Sequence, residues 1–283
     1  MAQLRDIKDR IDSVIKTKKM TQAMKMVAAS KFRKATERVL SFRPYLKEKE
    51  SLLKICVSQS DSQTALMKEN NSNKHAVILI TGDKGLCGGF NTNIIKKASR
   101  FLSEESEVEL FLLGAKGIQF FKSNQYETSF KLDKAVDQCH VQDIEALLED
   151  ICNRYISGEY GKVWLFYNEF KTALSSVLSQ KQILPVSVDT LEGETPSLSY
   201  YMEPNADSLL AQLTKEALVA NLYRGVLESV AAEQGARMTA MDAATSNAGE
   251  MIKELTMQYN RLRQAQITTE IAEIVAGAEA LVN

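Results

Sequence analysis

The sequence predicts an α/β body carried between two long helical arms, and three observations predict it. The first is where the helix breakers lie. The first glycine is Gly82, the only proline before residue 185 is Pro44, and none follows Pro204. Nine of the thirteen glycines fall between Gly82 and Gly193, so the two ends are free to form long helices and the middle is rich in turns. The second observation is a heptad-like apolar spacing at each end, and the third is strand-like and helix-like segments alternating between the ends.

In the first arm, alternating steps of three and four run Leu4, Ile7, Ile11, Val14, Lys18, Thr21, Lys25, Ala28, Phe32, Ala35, Val39, Phe42, Leu46, Lys49, Leu53. Eleven of these fifteen are apolar, where composition alone gives about seven. The seam breaks at Lys18, Thr21 and Lys25, and Pro44 is expected to kink or end the helix near the turn before it.

The last arm has the same pattern over Met241, Thr245, Ala248, Ile252, Leu255, Tyr259 and Leu262. It then fails at Gln266, Thr269 and Glu273, and a new apolar series starts one residue off at Ile267, Ile271, Ile274, Ala278 and Leu281. A one-residue shift turns the apolar face by ~100°, so this tip cannot face the partner that the preceding stretch faces. A helix from about Leu209 to the end would be ~110 Å long and needs a partner helix or a surrounding protein to bury its stripe. Pairing the two seams antiparallel makes the middle an insertion, with an arm over residues 1–60, an α/β domain over 74–195 and a long helix over 205–283.

Within the middle, Ala76–Thr81, Val108–Gly114, Tyr126–Phe130, Val163–Tyr167 and Gln182–Val188 read as strands. Asn91–Leu102, Lys116–Ser123 and Gln142–Ile156 read as helices. This alternation argues for a mostly parallel, doubly wound sheet, and Leu191–Asn205 reads as the exit loop.

Composition excludes several classes. No apolar run approaches the ~20 residues of a membrane-spanning helix. Cys56, Cys87, Cys139 and Cys152 form no CxxC pair, and two histidines, His75 and His140, are too few for a His-built metal site. Met1–Arg10 lacks a secretory apolar core, so reduced thiols in a cytosolic compartment are expected. The formal net charge of −1 hides an asymmetry: residues 1–54 carry +9 and residues 205–283 carry −4. A basic first arm fits an acidic partner, whether nucleic acid, anionic lipid or protein.

The loop Thr81–Gly89 follows a strand and precedes a helix, as a phosphate-binding loop does. Its spacing is wrong: Gly88-Gly89 is followed by Phe90-Asn91, which is not Gly-Lys-Ser/Thr, and GxGxxG is absent. It reads as a tight turn, with a loop exposed to a protein partner as the functional alternative. Cys87 has no histidine motif near it and reads as a buried or half-buried thiol. Trp164 reads as core packing. Met20, Met24, Met26, Met238, Met241, Met251 and Met257 read as packing on a helix pair, although methionine also suits a sliding surface. The run Lys16–Lys19 with Lys25, Lys31, Arg33 and Lys34 reads as a solvated helix face. Nucleic-acid binding, as in a coiled-coil adaptor or hinge-type protein, is one competing reading, and a nucleotide-binding α/β enzyme is another.

Four blocks resemble the gamma subunit of F-type ATP synthases. They are Ile15–Lys31 (IKTKKMTQAMKMVAASK), the loop Asp83–Gly89 (DKGLCGG), Ala236–Thr245 (ARMTAMDAAT) with Tyr259–Ala265 (YNRLRQA), and Ile267–Ala278 (ITTEIAEIVAGA). They lie in the family's order and span the chain, while between about Ser103 and Thr195 only the pattern is similar.

The resemblance implies a rotor shaft: an antiparallel coiled coil bearing an inserted Rossmann-like domain, turning inside a ring of alpha and beta subunits. It implies a foot on the epsilon subunit and the c-ring, one copy per complex, and a peripheral position on the cytoplasmic face of a bacterial inner membrane. No catalytic residue, cofactor, metal, small-molecule ligand or nucleic acid is implied. Contacts to the alpha–beta ring are implied at Lys18, Lys19, Met24, Lys25, Cys87, Arg263, Gln264, Ile267, Thr268, Glu270, Ile271, Ile274 and Leu281. Contacts to the c-ring and epsilon foot are implied at Arg43, Tyr45, Tyr200, Tyr201 and Glu203. The cysteine-bearing insertion of the chloroplast form is not visible.

Overall fold

The computed structural model describes residues 2–60, 63–105, 107–123, 126, 128–131, 134–172, 175–188, 191, 201–203 and 205–282. Helix α1 spans Ala2–Gln59 and helix α5 spans Ala206–Val282, 58 and 77 residues. Between them run β1 (Lys74–Ile80), α2 (Phe90–Glu104), β2 (Glu107–Leu113), α3 (Ala115–Lys122) and β3 (Thr128–Lys131). A 3-10 turn (Val136–Gln138), α4 (Val141–Ile156), β4 (Lys162–Phe170) and β5 (Ser176–Leu184) follow. The chain divides into two compact units, Met1–Val27 with Met238–Asn283, and Ala28–Arg237.

In the larger unit the five strands are ordered β3-β2-β1-β4-β5. The β1–β2, β1–β4 and β2–β3 pairs are parallel and β4–β5 is antiparallel. Because β1 is covered on both faces, Ala76 to Ile80 are all fully buried, which explains why this strand reads as a continuous apolar run. Alternate residues divide between two cores. Val77 and Leu79 pack with Ile94, Ala98 and Leu102 of α2 and Phe121 of α3. Ala76, Ile78 and Ile80 pack with Ile144, Leu148 and Ile151 of α4 and Leu218, Leu222 and Val226 of α5. Trp164 joins the first core, edge-on to Phe101 at 5.5 Å between ring centroids.

Three element bounds are set more closely by the structure, and one of them, the start of β5, is a correction. Helix α1 does not end at Pro44 but continues to Gln59. Proline leaves the carbonyl of Leu40 without its helical donor, and Leu40 is exposed, so water can serve it. Strand β5 begins at Ser176 and ends at Leu184, six residues earlier at its start than the sequence suggested. Its first half sets Val177 and Leu178 among Ser and Gln without a strand-like alternation, as suits an edge strand paired to β4. Helix α5 starts at Ala206, within the expected 205–283 span, where Asn205 Oδ1 accepts the Ser208 N–H at 2.8 Å as an N-cap. The remainder of the exit loop, residues 192–200 and 204, lies outside the described residues.

The sheet's edge at the strand starts is tied by charge. Glu109, fully buried on β2, receives both Arg154 Nη1 (2.8 Å) and Nη2 (2.6 Å), the Tyr160 hydroxyl (2.9 Å) and the Lys74 ammonium (2.6 Å). Several cationic and hydroxyl donors on one carboxylate offset the desolvation that a buried charge incurs.

At the other end of the strands, Gly114 leaves β2 at φ +110°, and a Cβ there would lie 2.1 Å from the Thr81 carbonyl oxygen. Gly85, by contrast, has open space around its would-be Cβ. Gly114→Ala is therefore expected to destabilise the larger unit by ~3 kcal/mol, and Gly85→Ala to change it by less than ~0.5 kcal/mol. Urea unfolding followed by fluorescence of Trp164, the single tryptophan, checks both; equal midpoints for the two variants would refute the steric account.

Candidate partner-contact surfaces and the glycine loop

The order of strands reverses at β1, with β2 on one side and β4 on the other. In an open α/β sheet the crevice beyond the strand ends at such a point is where ligands bind, and the glycine loop 82–89 sits there. Here the crevice is filled by α5. A Cβ on Gly82 would lie 2.9 Å from Glu233 Cδ and 3.0 Å from its Oε2. A phosphate placed there would meet a carboxylate.

The loop is fastened from three directions. Asn91 Oδ1 accepts the Gly82 N–H at 2.7 Å, and its amide donates to the Lys84 carbonyl at 3.3 Å. Asp83 accepts the Ala115 N–H at 3.0 Å and the Val136 N–H at 2.8 Å. From α5, Arg237 Nη2 donates to the carbonyls of Lys84 and Gly85, each at 3.3 Å, and to Glu233 Oε1 at 2.5 Å. Burial raises the Glu233 carboxyl above the usual range, with Asp83 and Asp137 adding to the rise and Arg237 opposing it. Burial likewise raises the Cys87 thiol. Cys87 is 2% exposed and packs with Phe90 and Ala232, whereas Leu86, at φ +62°, is 63% exposed. Lys84 and Leu86 are exposed on this loop, whereas Cys87, where the resemblance implied a partner contact, is buried as its sequence setting suggested.

In the smaller unit, α1 and α5 meet through the very residues that interrupt the apolar seam. Thr21 and Thr245 share a hydrogen bond of 2.7 Å between their hydroxyls, and Lys25 pairs with Asp242 at 2.5 Å. Lys18 lies over Gly249, where a Cβ would stand 3.3 Å from the ammonium nitrogen. Thr21, Met241, Ala248 and Leu255 are buried. Numbering rises on α1 as it falls on α5, so the two segments run in opposite directions. From Ile267 to Ala276 every side chain is exposed.

Comparison with known proteins follows the same outline. The ATP synthase family model matches residues 3–281. The ATP synthase gamma chain of Geobacter metallireducens is 40% identical over 286 residues, covering 99% of each chain. The chain belongs to the ATP synthase gamma-chain family. The gamma chain of Chlorobaculum tepidum is 41% identical over 290 residues, again covering 99% of each. Among solved structures, the central stalk and c-ring of the Tetrahymena thermophila mitochondrial ATP synthase contains a chain with a TM-score of 0.60 and 25% identity. The match covers 80% of this chain and 99% of that one. A chain of the Euglena gracilis mitochondrial ATP synthase reaches a TM-score of 0.70 at 17% identity, covering 99% and 95%, which speaks for the fold alone.

In this gamma-family chain the residues singled out from sequence fall into distinct settings. Lys19 and Met24 are exposed on α1, while Lys18 and Lys25 are half-buried against α5. Arg263, Gln264, Thr268 and Glu270 are exposed on α5, and Ile267, Ile271 and Ile274 are 47%, 57% and 71% exposed. The backbone of Leu281 is helical and its side chain lies outside the described ones. Arg43 is committed inward, donating to Glu228 at 3.1 Å and to the Phe170 carbonyl at 2.8 Å. Tyr45 is exposed beside Phe42, and Tyr201, 90% exposed, and Glu203 face solvent. Tyr200 lies outside the described residues.

The expectation that the methionines serve as packing is corrected for Met20, Met24, Met26, Met251 and Met257, which are exposed. The Glu233–Arg237 clasp was missed in the sequence, although the i,i+4 acid–base spacing was there to be read. Among the described residues no helix is long and apolar enough to cross a membrane, and no cluster of three or more His, Cys, Asp or Glu is placed to hold a metal.

Arg237→Gln would leave Glu233 buried without its cation. The expected cost is ~2–3 kcal/mol at pH 7. The sign follows from a raised carboxyl: its stabilising contribution is present below the unfolded value of 4.5 and is lost as pH rises through the folded value. The deficit should therefore be largest at pH 7 and shrink toward pH 5, as urea midpoints across that range would record. A deficit that does not vary with pH would assign the whole effect to the loop carbonyls.

Proposed function

We propose that the chain is the non-catalytic rotor shaft of an F-type ATP synthase. It turns inside the alpha–beta ring and couples c-ring rotation, driven by transmembrane proton flow, to ATP synthesis or hydrolysis at the beta-subunit sites. On this reading residues 1–60 and 205–283 form the antiparallel coiled coil, residues 74–195 a Rossmann-like domain, and the complex sits on the cytoplasmic face of a bacterial inner membrane with this subunit peripheral. The epsilon subunit and c-ring contact the foot near Tyr45, Tyr201 and Glu203.

The observation that carries the reading is the apolar tip of α5. Ile267, Ile271, Ile274 and Val275 stand exposed on a helix with no packing of its own there. Contiguous exposed apolar side chains mark an interaction surface, and the match to gamma chains over the full length supplies the surrounding ring. The exposed methionines Met20, Met24 and Met26 add a soft surface suited to changing neighbours.

The mechanics favour such a design. A charge crossing the membrane releases ~2.3 kcal/mol per 100 mV, so several crossings must be summed in one stiff element for each ATP. A continuous helix pair is suited to carry such a load along its length. Contacts with the ring should be individually weak, as exposed ion pairs worth ~0–1 kcal/mol are, because a strong one would hold the rotor at one angle. Filling of the crevice by Glu233 and Arg237 supports the absence of nucleotide chemistry in this chain.

Replacing both Ile271 and Ile274 with Asp is expected to leave the α/β unit folded. It should also lower ATP synthesis in membrane vesicles by about ten-fold or more, since two desolvated carboxylates at an apolar contact cost well over 1.4 kcal/mol. Unchanged synthesis in vesicles containing the variant would overturn the bearing assignment.

A further inference from the structure

Within the larger unit, α1, α4 and α5 enclose a half-open cavity of about 710 Å³, the size range of small-molecule sites. One wall is aromatic. Phe42 meets Tyr223 edge-on at 5.3 Å between centroids and Tyr45 at 5.4 Å. Its depth is apolar: Cys152 and Leu148 are buried, and burial pushes the Cys152 thiol up to about 11.

The charges around this cavity are not balanced. Glu216 is already satisfied, by Lys49 at 2.5 Å and by Gln212 at 2.9 Å. Glu145 and Glu149 line the cavity from α4, both exposed, and neither has an ion-pair partner among the described residues. Spaced i,i+4, they stand one helical turn apart on one face and repel each other. The lining's other unpaired charge is Lys215 on α5, so the unpaired balance is one negative charge. Aromatic faces and unpaired carboxylates together attract one chemical class. An apolar or aromatic body with a protonated amine can stack on the rings and place its cation against the two acids.

We propose that this cavity is a binding site for amphiphilic organic amines, with Phe42, Tyr45 and Tyr223 taking the apolar body and Glu145 and Glu149 the ammonium. The site is distinct from the tip and the glycine loop, shares Tyr45 with the proposed foot, and is tested on the isolated chain, where no partner covers that residue.

Calorimetric titration of the full chain tests it with three probes of matched shape: 2-naphthylmethylammonium, neutral 2-naphthylmethanol and anionic 2-naphthoate. The amine is expected to bind at least about ten-fold more tightly than the acid. The double variant Glu145→Gln, Glu149→Gln changes only exposed side chains, so its fold is expected to be retained, which its circular dichroism checks. It should weaken the amine by about ten-fold and leave the alcohol unchanged. Equal affinity for amine and acid, an amine affinity unaltered in the double variant, or no heat from the amine at millimolar concentration would each overturn the proposal.

Discussion

A helix of 77 residues cannot bury an apolar stripe by itself, and the rest of the structure depends on what covers the stripe of α5. In the larger unit Leu218, Leu222 and Val226 complete one core of the sheet, and Gly225 lets the helix backbone come within contact distance of Leu165 and Ile80. A little further along, Glu233 and Arg237 close the crevice at the strand ends. In the smaller unit Met241, Ala248 and Leu255 are buried in the pairing with α1. From Ile267 to Ala276 no element among the described residues covers the helix, and its apolar side chains are left in water. Burial of apolar area at ~25 cal/mol per Å² drives each of the first contacts and leaves the last surface available to another protein.

The polar residues in the pairing of α1 with α5 act differently from the apolar ones. Leu, Ile and Ala pack acceptably in more than one register, whereas the contacts of Thr21 with Thr245 and of Lys25 with Asp242 form in one. A slip of one turn would break the bond between the two hydroxyls, leaving each only its own helix's carbonyl (Lys18 for Thr21, Met241 for Thr245), and separate the ion pair. Lys25 and Asp242 are too exposed for their attraction to add much stability, so the pair is better understood as fixing alignment.

Much of this was legible in the sequence, for physical reasons. All fifteen positions of the seam from Leu4 to Leu53 are buried or half-buried, including Lys18, Thr21, Lys25 and Lys49, because helical spacing decides which face is covered regardless of what stands there. The shift of series at Ile267 located the exposed tip. Strands β1, β2 and β4 could be read because they are covered on both sides. The first half of β5 could not, since in an edge strand Val177 and Leu178 stand side by side among polar residues without regular alternation. The inward commitment of Arg43 to Glu228 was also hidden, because it depends on which distant segments come together. Pairwise acid–base contacts between α1 and later elements, such as Lys31 with Asp137, leave no local trace in a single sequence.

The four cysteines share a setting whose effect reaches beyond packing. Each is buried, and burial raises every one of their thiols, Cys139 and Cys152 to about 11. At neutral pH a thiol near that value is ionised in roughly one molecule in ten thousand, and the thiolate is the form that peroxide, glutathione and maleimides attack. The four thiols of the folded chain are therefore slow toward such reagents, and the sulfurs open to peroxide are instead the thioethers of exposed Met20, Met26 and Met257.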